Sequence, residues 1–326
     1  MMTAMRSALP GIAALVALCC TVNCAIAQSY PARAVRLVTG DVGGTADVIA
    51  RLLTPALSTQ LGQQLVVENK GGANGGIAAL AVSKAPPDGY TLLLYASALW
   101  LSPLMGEVSW DPVKDFAPIS LVASAPNILV VHPSVPAKSV RELIALAKAK
   151  PGALNYASGG SGSSPHLAGE LFKSMARVNI VRIAYKGTGP AVNDLISGQV
   201  QLMFGSAGAV TPHVKSGRLR ALAVSSLKPS ALAPGLPTLA ASGVPGFVTL
   251  GLYPAFGPAA LPAPIINRVH QELVQALSRP ELKERFLAAG VEAVGGTPAE
   301  LAALIKTEMT MWGKLFREAG IREDTK

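Results

Sequence analysis

Cysteine is nearly absent from this chain of 326 residues. The three cysteines, Cys19, Cys20 and Cys24, all lie near the start, inside a stretch with the composition of a secretory signal peptide. Removal of that stretch leaves no cysteine, which excludes a disulfide framework, a thiolate nucleophile and a cysteine metal site. The four histidines are scattered without the spacing of metal ligands.

Residues 1–27 are predicted to be the signal peptide. Arg6 supplies the positive start, residues 11–18 the apolar core, and residues 25–27 the small-residue cleavage site. The apolar core is too short to cross a bilayer, and no later run is long and free of charge enough, so we expect a soluble mature chain. A lipoprotein anchor at Cys24 is the alternative, although the preceding Asn23 matches that signal poorly.

Charge is also sparse, and its balance is basic. Charged residues make up 14% of the chain, with a formal net charge of +9 at pH 7. Lysine and arginine are scattered and no basic run is interleaved with aromatic residues, so we expect no nucleic-acid partner. The charge fits a solvated basic surface and a field that mildly favours acidic ligands.

Apolar strands and amphipathic helices alternate along most of the chain. Strands are predicted at 30–38, 65–68 and 90–95, with helices at 48–61 and 77–84 between them. The alternation continues to three C-terminal helices that each begin near a proline. This pattern predicts an α/β architecture with mostly parallel sheets, in which ligands lie at the carboxyl ends of strands.

Two extended stretches are candidate crossings between two lobes. Strands predicted at 119–123 and 128–132 flank the segment Ser124–Asn127, which is the first candidate. The second is the apolar stretch 248–256, which follows a segment rich in proline and small residues.

Two loops of small residues each connect a predicted strand to a predicted helix. Residues 39–47 form the first, and residues 158–164, followed by Pro165, form the second. The first N–H groups of a helix have no intrahelical partner, so such a loop can bind an anion. Glycine lets the backbone come close, and serine hydroxyls add donors. A flexible loop before a capped helix is the plainer interpretation. A third glycine-rich loop spans 69–76.

Neither strand–loop–helix unit carries a motif for phosphate or acyl chemistry. A Walker A sequence and a dinucleotide fingerprint are both missing. A nucleophile elbow is missing too, because Ser163 stands where its second glycine is needed. The two loops therefore predict two lobes that present helix starts to one small anion.

Short motifs spread over the whole mature chain resemble a known family. Each motif is weak alone, but the set is specific. It includes Tyr30-Pro31, Gly43-Gly44, Asp47–Arg51, Val66–Lys70, Pro87–Leu93, Lys114–Phe116, His166–Phe172, Tyr185–Gly187, Leu219–Val224 and Gly243–Phe247. On these residues the chain resembles the extracytoplasmic solute receptors of tripartite tricarboxylate transporters, the TctC or Bug type.

The resemblance implies a periplasmic receptor of two lobes in a type II-like Venus flytrap arrangement. Each lobe would hold a mixed, mostly parallel sheet. Lobe one would comprise residues 28–124 and 251–326, and lobe two residues 125–250. The implied ligand is a small organic carboxylate, and the implied partners are the membrane permease subunits of the transporter. The resemblance implies a monomer without enzymatic activity, metal or cofactor.

The resemblance also implies a set of ligand-binding residues. Family members hold a carboxylate through backbone groups and bridging waters of the first loop, while the serine-rich loop of the other lobe closes on it. Carried over to this chain, the set is Gly43, Gly44, Thr45, Asp47, Ser97, Asn127, Ser161, Ser163, Ser164, His166, Tyr185, Lys186 and Gly205.

Three of these residues have an ordinary structural alternative. His166 can simply cap or pack the helix that it opens, and Lys186 can be a solvated lysine before a glycine turn. Asp47 can be a helix-start acid favoured by the helix dipole. The resemblance instead makes Asp47 the residue that organises the first loop.

The chain also departs from the family pattern. Thr39–Val42 replaces a Pro-Phe-Pro-Pro segment, and the loss of a Phe at Gly40 is expected to open space. Asp41 places an acid near an anion site, which disfavours a purely anionic ligand unless Asp41 points away or meets a ligand cation. Gly205 stands where an Asp is frequent. We expect an altered pocket, larger and less polar, and drift in a gene copy is the alternative.

Two other functions stay open at this point. A sensor that reports its ligand to a signalling partner would share the same fold and site. An enzyme on a similar two-lobe fold would need a nucleophile, a base or a metal cluster, and the sequence offers no such arrangement in a supporting context.

Overall fold

The computed structural model describes residues 30–72, 75–185 and 187–321. The predicted signal peptide and Lys186 lie outside these ranges. The strands are β1 (Val35–Thr39), β2 (Leu65–Asn69), β3 (Thr91–Leu94), β4 (Phe116–Val131), β5 (Asn155–Ser158), β6 (Val181–Ala184), β7 (Leu202–Ser206), β8 (Arg220–Val224), β9 (Leu250–Pro258) and β10 (Glu292–Ala293).

The helices alternate with the strands through most of the chain. They are α1 (Thr45–Leu61), α2 (Gly76–Ser83), α3 (Ala98–Leu101), α4 (Val140–Ala149), α5 (Ser164–Ala176), α6 (Thr188–Ile196), α7 (Ala207–Lys215), α8 (Ala263–Ser278), α9 (Pro280–Ala288) and α10 (Pro298–Ala319), with a 3-10 turn at Ser102–Leu104. The short elements α3, Ser102–Leu104 and β10 were not expected from the sequence. None of the described helices is both long and apolar enough to span a bilayer.

The sequence pattern explains where the first strand–helix unit forms. Helix α1 buries Ile49, Leu53 and Leu57 at helical spacing against the sheet. It ends at Gly62, whose backbone is left-handed at φ 68°, a conformation that glycine adopts without steric cost. Strand β3 is buried along its whole length, because it lies inside the sheet between β1 and β9 and a hydrophobic cluster covers each of its faces.

The strands form one continuous curled sheet. Its order is β2-β1-β3-β9-β4-β7-β5-β6, and β8 and β10 also pair with β4. The outer pairs β1–β2, β1–β3, β5–β6 and β5–β7 are parallel. Every other described pair is antiparallel and includes β4 or β9. The predicted α/β class with a mixed sheet is therefore confirmed, with antiparallel pairing concentrated on the two long central strands.

Strand β4 corrects the prediction of two strands separated by the segment Ser124–Asn127. It runs without interruption over 16 residues. Its first part pairs with β9 as far as Pro126, and its second part pairs with β7 from Asn127 onward. Proline usually argues against a central strand because it cannot donate to the ladder. Here Pro126 stands where β4 changes neighbours, so a residue without an N–H group is tolerated.

The second predicted crossing lies at the start of β9, beside the first. Ser225 ties the two together. Its hydroxyl accepts from the backbone N–H of Asn127 at 2.8 Å and donates to the carbonyl of Thr249 at 2.6 Å. The chain thus changes from one half of the sheet to the other at two adjacent points. Both points support the predicted division into 28–124 plus 251–326 and 125–250, which stays a prediction.

Candidate functional site

The first loop is a tight turn that leads directly into α1. The N–H of Gly44 donates to the carbonyl of Asp41 at 3.1 Å. Gly43 inside this turn has a φ of 76°, a left-handed conformation that disfavours any residue with a Cβ. Gly44 is the N-cap residue, and no side chain caps the helix. The first N–H groups of α1 are therefore available to a ligand.

The buried carboxylate of Asp47 holds this loop in place. Its side chain is 3% exposed, and its carboxylate accepts from the Gly43 N–H at 2.9 Å, from Asn69 at 2.9 Å and from the Arg51 guanidinium at 3.0 Å. Burial alone would raise the pKa of Asp47, but the hydrogen bonds from Arg51, Gly43 and Asn69 outweigh it and hold that pKa below its ordinary value. The carboxylate thus accepts hydrogen bonds from three groups, which fits the loop-organising role that the resemblance implies.

Tyr95 corrects the expectation that Gly40 opens space in the pocket. A Cβ on Gly40 would lie 2.6 Å from Cε2 of the Tyr95 ring, and a Cβ on Gly75 would collide with the same ring. The ring therefore fills the space between these two glycines. Burial, with the negative charge of Asp41 and with Tyr253 nearby, raises the pKa of Tyr95 to about 12.

A second tyrosine joins α1 to the central strands. Tyr253 on β9 hydrogen-bonds with the Thr45 side chain, and burial raises its pKa. Its hydroxyl also lies 3.3 Å from the position that a Cβ on Gly251 would take, with the carbonyl of Ala125 beside it. Both tyrosines therefore pack against residues of the first loop.

The second loop, between β5 and α5, is held by a cation. Arg182 on β6 donates to the Ser158 hydroxyl at 2.8 Å, to the Ser161 hydroxyl at 3.2 Å and to the carbonyl of Gly159 at 2.9 Å. One guanidinium group thereby fixes three points of a loop that is otherwise made of small residues. Its planar, forked set of donors suits this task.

The start of α5 adds further donors at the same place. His166 is 2% exposed, and its Nδ1 accepts from the N–H of Gly162 at 3.1 Å. That nitrogen therefore carries a lone pair, which places the proton of the neutral ring on Nε2. Ser163 is the N-cap residue of α5, and its hydroxyl is buried with no hydrogen-bond partner among the described residues. A buried hydroxyl of this kind can serve a ligand.

Each loop is linked to the place where β4 changes neighbours. On one side Thr45 bonds with Tyr253 of β9, and β9 pairs with β4 through Tyr253–Ala123 and Gly251–Ala125. On the other side Asn127, which is 3% exposed, donates from its side-chain amide to the Ser164 hydroxyl at 2.6 Å. Ala125 and Asn127 are two residues apart on an extended strand, a span of about 7 Å. The starts of α1 and α5 are therefore both linked to the short segment of β4 where that strand changes neighbours.

Two other predicted site residues, Ser97 and Tyr185, are bonded to neighbouring elements of the fold. Ser97 is buried at the start of α3, and its N–H donates to the carbonyl of Leu252 on β9. Tyr185 donates its hydroxyl to Asp194 on α6 at 2.8 Å, and burial together with that contact raises its pKa to about 12. A role of Tyr185 at the rim stays a prediction.

Gly205 is packed against an apolar side chain, and its role in ligand binding stays a prediction. A Cβ on Gly205 would collide with Val210 on α7, which is fully buried in the core. The space that an Asp would need is therefore already filled by an apolar side chain.

Several residues at the site were not identified from the sequence. Arg182 lies on a strand that the sequence predicts at 179–184, Tyr253 lies in the apolar stretch 248–256, and Tyr95 ends the strand predicted at 90–95. Asn69 was noted only within a motif. The alternation of Arg182 with apolar residues along β6 was the one available signal that it faces a polar environment. The described residues contain no group of three histidine, cysteine or acidic side chains able to hold a metal ion.

Comparisons with known proteins place this geometry in a family. The profile of the family described as "Tripartite tricarboxylate transporter family receptor" matches residues 49–321. Protein BugT of Bordetella pertussis is 37% identical over 300 residues, which cover 91% of this chain and 92% of BugT.

Two solved structures extend the likeness to the fold. The R. palustris protein Rpa4515, solved with adipate, is 34% identical with a TM-score of 0.79, covering 90% of this chain and 99% of its own. MatC from Rhodopseudomonas palustris, solved with bound malate, is 28% identical with a TM-score of 0.74, covering 88% and 99%. The resemblance found in the sequence is thereby confirmed.

Proposed function

This chain belongs to the tripartite tricarboxylate transporter receptor family, and from that premise we propose that it binds one small organic carboxylate between two lobes. Members of this family are periplasmic solute receptors and not enzymes. Relatives solved with adipate and with malate make a dicarboxylate of four to six carbons the first class to test.

The approach of two helix starts carries the proposal. Neither α1 nor α5 has a side-chain cap at its N-terminus. We propose that the free N–H groups and the positive ends of both helix dipoles face a gap between Thr45 and Ser164, where a carboxylate would gain from both. The buried Ser163 hydroxyl supplies a further donor to the same gap.

We divide the predicted residues into those that contact the ligand and those that hold the contacting groups in position. We assign ligand contact to the backbone of Gly43, Gly44 and Thr45 and to the side chain of Ser163. Asp47, Ser161, Ser164, His166 and Asn127 position these groups through the hydrogen bonds described above, since each is already bonded to the loops or to the crossing strand.

Delivery to a membrane permease completes the proposed role. The family's receptors serve tripartite transporters. We propose export by the signal peptide predicted at residues 1–27, a monomeric state, and transfer of the bound acid to cognate permease subunits. The same geometry would serve a sensor, and loss of uptake of the bound acid in cells lacking the receptor would favour transport.

A thermal-shift titration of the protein purified from the periplasm tests binding. We expect succinate, malate, adipate or their amino derivatives to raise the melting temperature. A ligand at a hundredfold excess over its Kd stabilises the folded state by about 2.7 kcal/mol. Ser163→Ala should reduce the shift, whereas Ser174→Ala, at the exposed far end of the same helix, should leave it unchanged. The absence of a shift with every carboxylate would refute the proposal.

A further inference from the structure

Asp41 is the one acidic side chain of the first loop that no described residue neutralises. Asp47, six residues later, is buried and bonded to three donors. Asp41 is exposed, and among the described residues it takes part in no ion pair. One acid is therefore a buried internal support, and the other is an exposed charge without an ion-pair partner among the described residues.

The Asp41 carboxylate lies against the third glycine-rich loop. Its Oδ1 occupies the place that a Cβ on Gly71 would take, so in this conformation it packs directly on that glycine. Gly71 belongs to the third glycine-rich loop, and Gly75 of the same loop contacts the Tyr95 ring. The carboxylate is thus seated between two loops, close enough to Tyr95 for its charge to raise the pKa of that phenol.

Asp41 also lies close to the N–H groups that would hold a carboxylate. It is the first residue of the turn whose last residue, Gly44, caps α1, and the ends of such a turn are less than about 7 Å apart. A negative charge at that distance disfavours a ligand that is anionic throughout and favours one with a positive group at the nearer end.

We infer that the ligand of this receptor carries a cationic group, such as an ammonium, in addition to its carboxylate, and that Asp41 pairs with it. The inference rests on the proposed carboxylate site and narrows its ligand class. Tyr95, whose phenol stays protonated near neutral pH, supplies a hydroxyl beside the same position.

A series of ligands with one carbon skeleton tests the inference. Succinate, malate and aspartate differ at one carbon by a hydrogen, a hydroxyl and an ammonium group, and adipate with 2-aminoadipate repeats the comparison at greater length. Kd values are measured by titration calorimetry on the protein purified from the periplasm. We expect the aminated member of the better-fitting series to bind about tenfold more tightly than the others.

Two variants separate a charge effect from a shape effect. Asp41→Asn keeps the size and removes the charge, so the preference for the aminated ligand should disappear while plain dicarboxylates bind as well or better. Glu284→Gln makes the same charge change on the exposed face of α9 and should preserve the preference. The melting temperature of each free variant shows that it is folded.

The other outcomes count against the inference. Equal or tighter binding of the plain dicarboxylate by the wild type, unchanged in Asp41→Asn, would overturn it and leave the carboxylate receptor standing. Equal binding of malate and aspartate would show that a hydroxyl suffices and would overturn the requirement for a cation. Failure of every ligand in both series would overturn the carboxylate receptor and the inference with it.

Discussion

The two loops of the site present the same kind of helix start but are held by opposite charges. The first loop is built on the buried carboxylate of Asp47, which gathers N–H donors from Gly43, Asn69 and Arg51. The second is built on the guanidinium of Arg182, which gathers oxygen acceptors from Ser158, Gly159 and Ser161. A site for an anion can thus include an acid, provided that protein donors neutralise that acid.

The comparison also separates the loops by how tightly they are packed. The first loop is fixed against the Tyr95 ring, which fills the space beside Gly40. In the second loop a Cβ on Gly160 would meet no atom within 4 Å. Gly40 in the first loop is therefore closely packed and Gly160 in the second is not. The second loop is held by hydrogen bonds with Arg182, His166 and Asn127.

Removal of the Asp47 carboxylate should have the largest effect. Asp47→Ala leaves the Gly43 N–H and Asn69 without their acceptor, and we expect a loss of about 2–3 kcal/mol in the free energy of unfolding, measured by urea denaturation. Half of the Arg51 side chain is exposed, which keeps the cost below that of a fully buried pair. Glu284→Ala on exposed α9 should change stability by less than about 0.5 kcal/mol. Equal stabilities of the two variants would contradict the anchoring role.

A methyl group added to each loop should distinguish their packing. Gly40→Ala forces the Tyr95 ring to shift and should cost about 1–2 kcal/mol, whereas Gly160→Ala should be nearly neutral. The cost of Gly40→Ala should fall when Tyr95 is also replaced by alanine, because the obstructing ring is then gone. Additive effects in this double-mutant cycle would show that the ring does not fill the space.

Loss of the Arg182 guanidinium should weaken binding more than folding. Arg182→Gln releases three points of the second loop, and we expect the Kd of the bound carboxylate to rise by about tenfold, or 1.4 kcal/mol. Arg182→Lys should recover only part of this loss, since an ammonium group lacks the planar fork. Arg218→Gln removes an exposed charge from the same half of the chain and serves as the control. An unchanged Kd in Arg182→Gln would remove Arg182 from the site.

Acid should affect the first loop before the second, and this is the smallest expected effect. The pKa of Asp47 lies below its ordinary value of 3.8 in the folded protein, so its stabilisation is complete above that value and is lost as pH falls through the folded pKa. Asp47→Asn should therefore show a shallower loss of stability than the wild type below pH 3.8. Arg182 stays charged throughout this range. Identical pH profiles would show that Asp47 carries no such contribution.

Much of the fold could be predicted because its signals are local. Helical spacing of Ile49, Leu53 and Leu57 placed α1, and glycine loops after β1 and β5 placed the two candidate binding segments. The main error was the prediction that β4 is two separate strands. Pro126 is a local signal for a break, but β4 changes its neighbours at this residue and continues as one strand. Periodic patterns report which face of an element is buried, but they do not report its neighbours.

Local patterns in the sequence were enough to predict the family, the alternation of strands and helices and the two loops that lead into α1 and α5. The contacts that hold each loop became visible only in the folded chain. Arg182 reaches Ser158 across 24 residues of chain, and the Tyr95 ring fills the space between Gly40 and Gly75. Such contacts depend on which strands pair and in what register, and these follow from the packing of the whole sheet. The motifs therefore located the site, while its charges and its free volume came from residues distant in sequence.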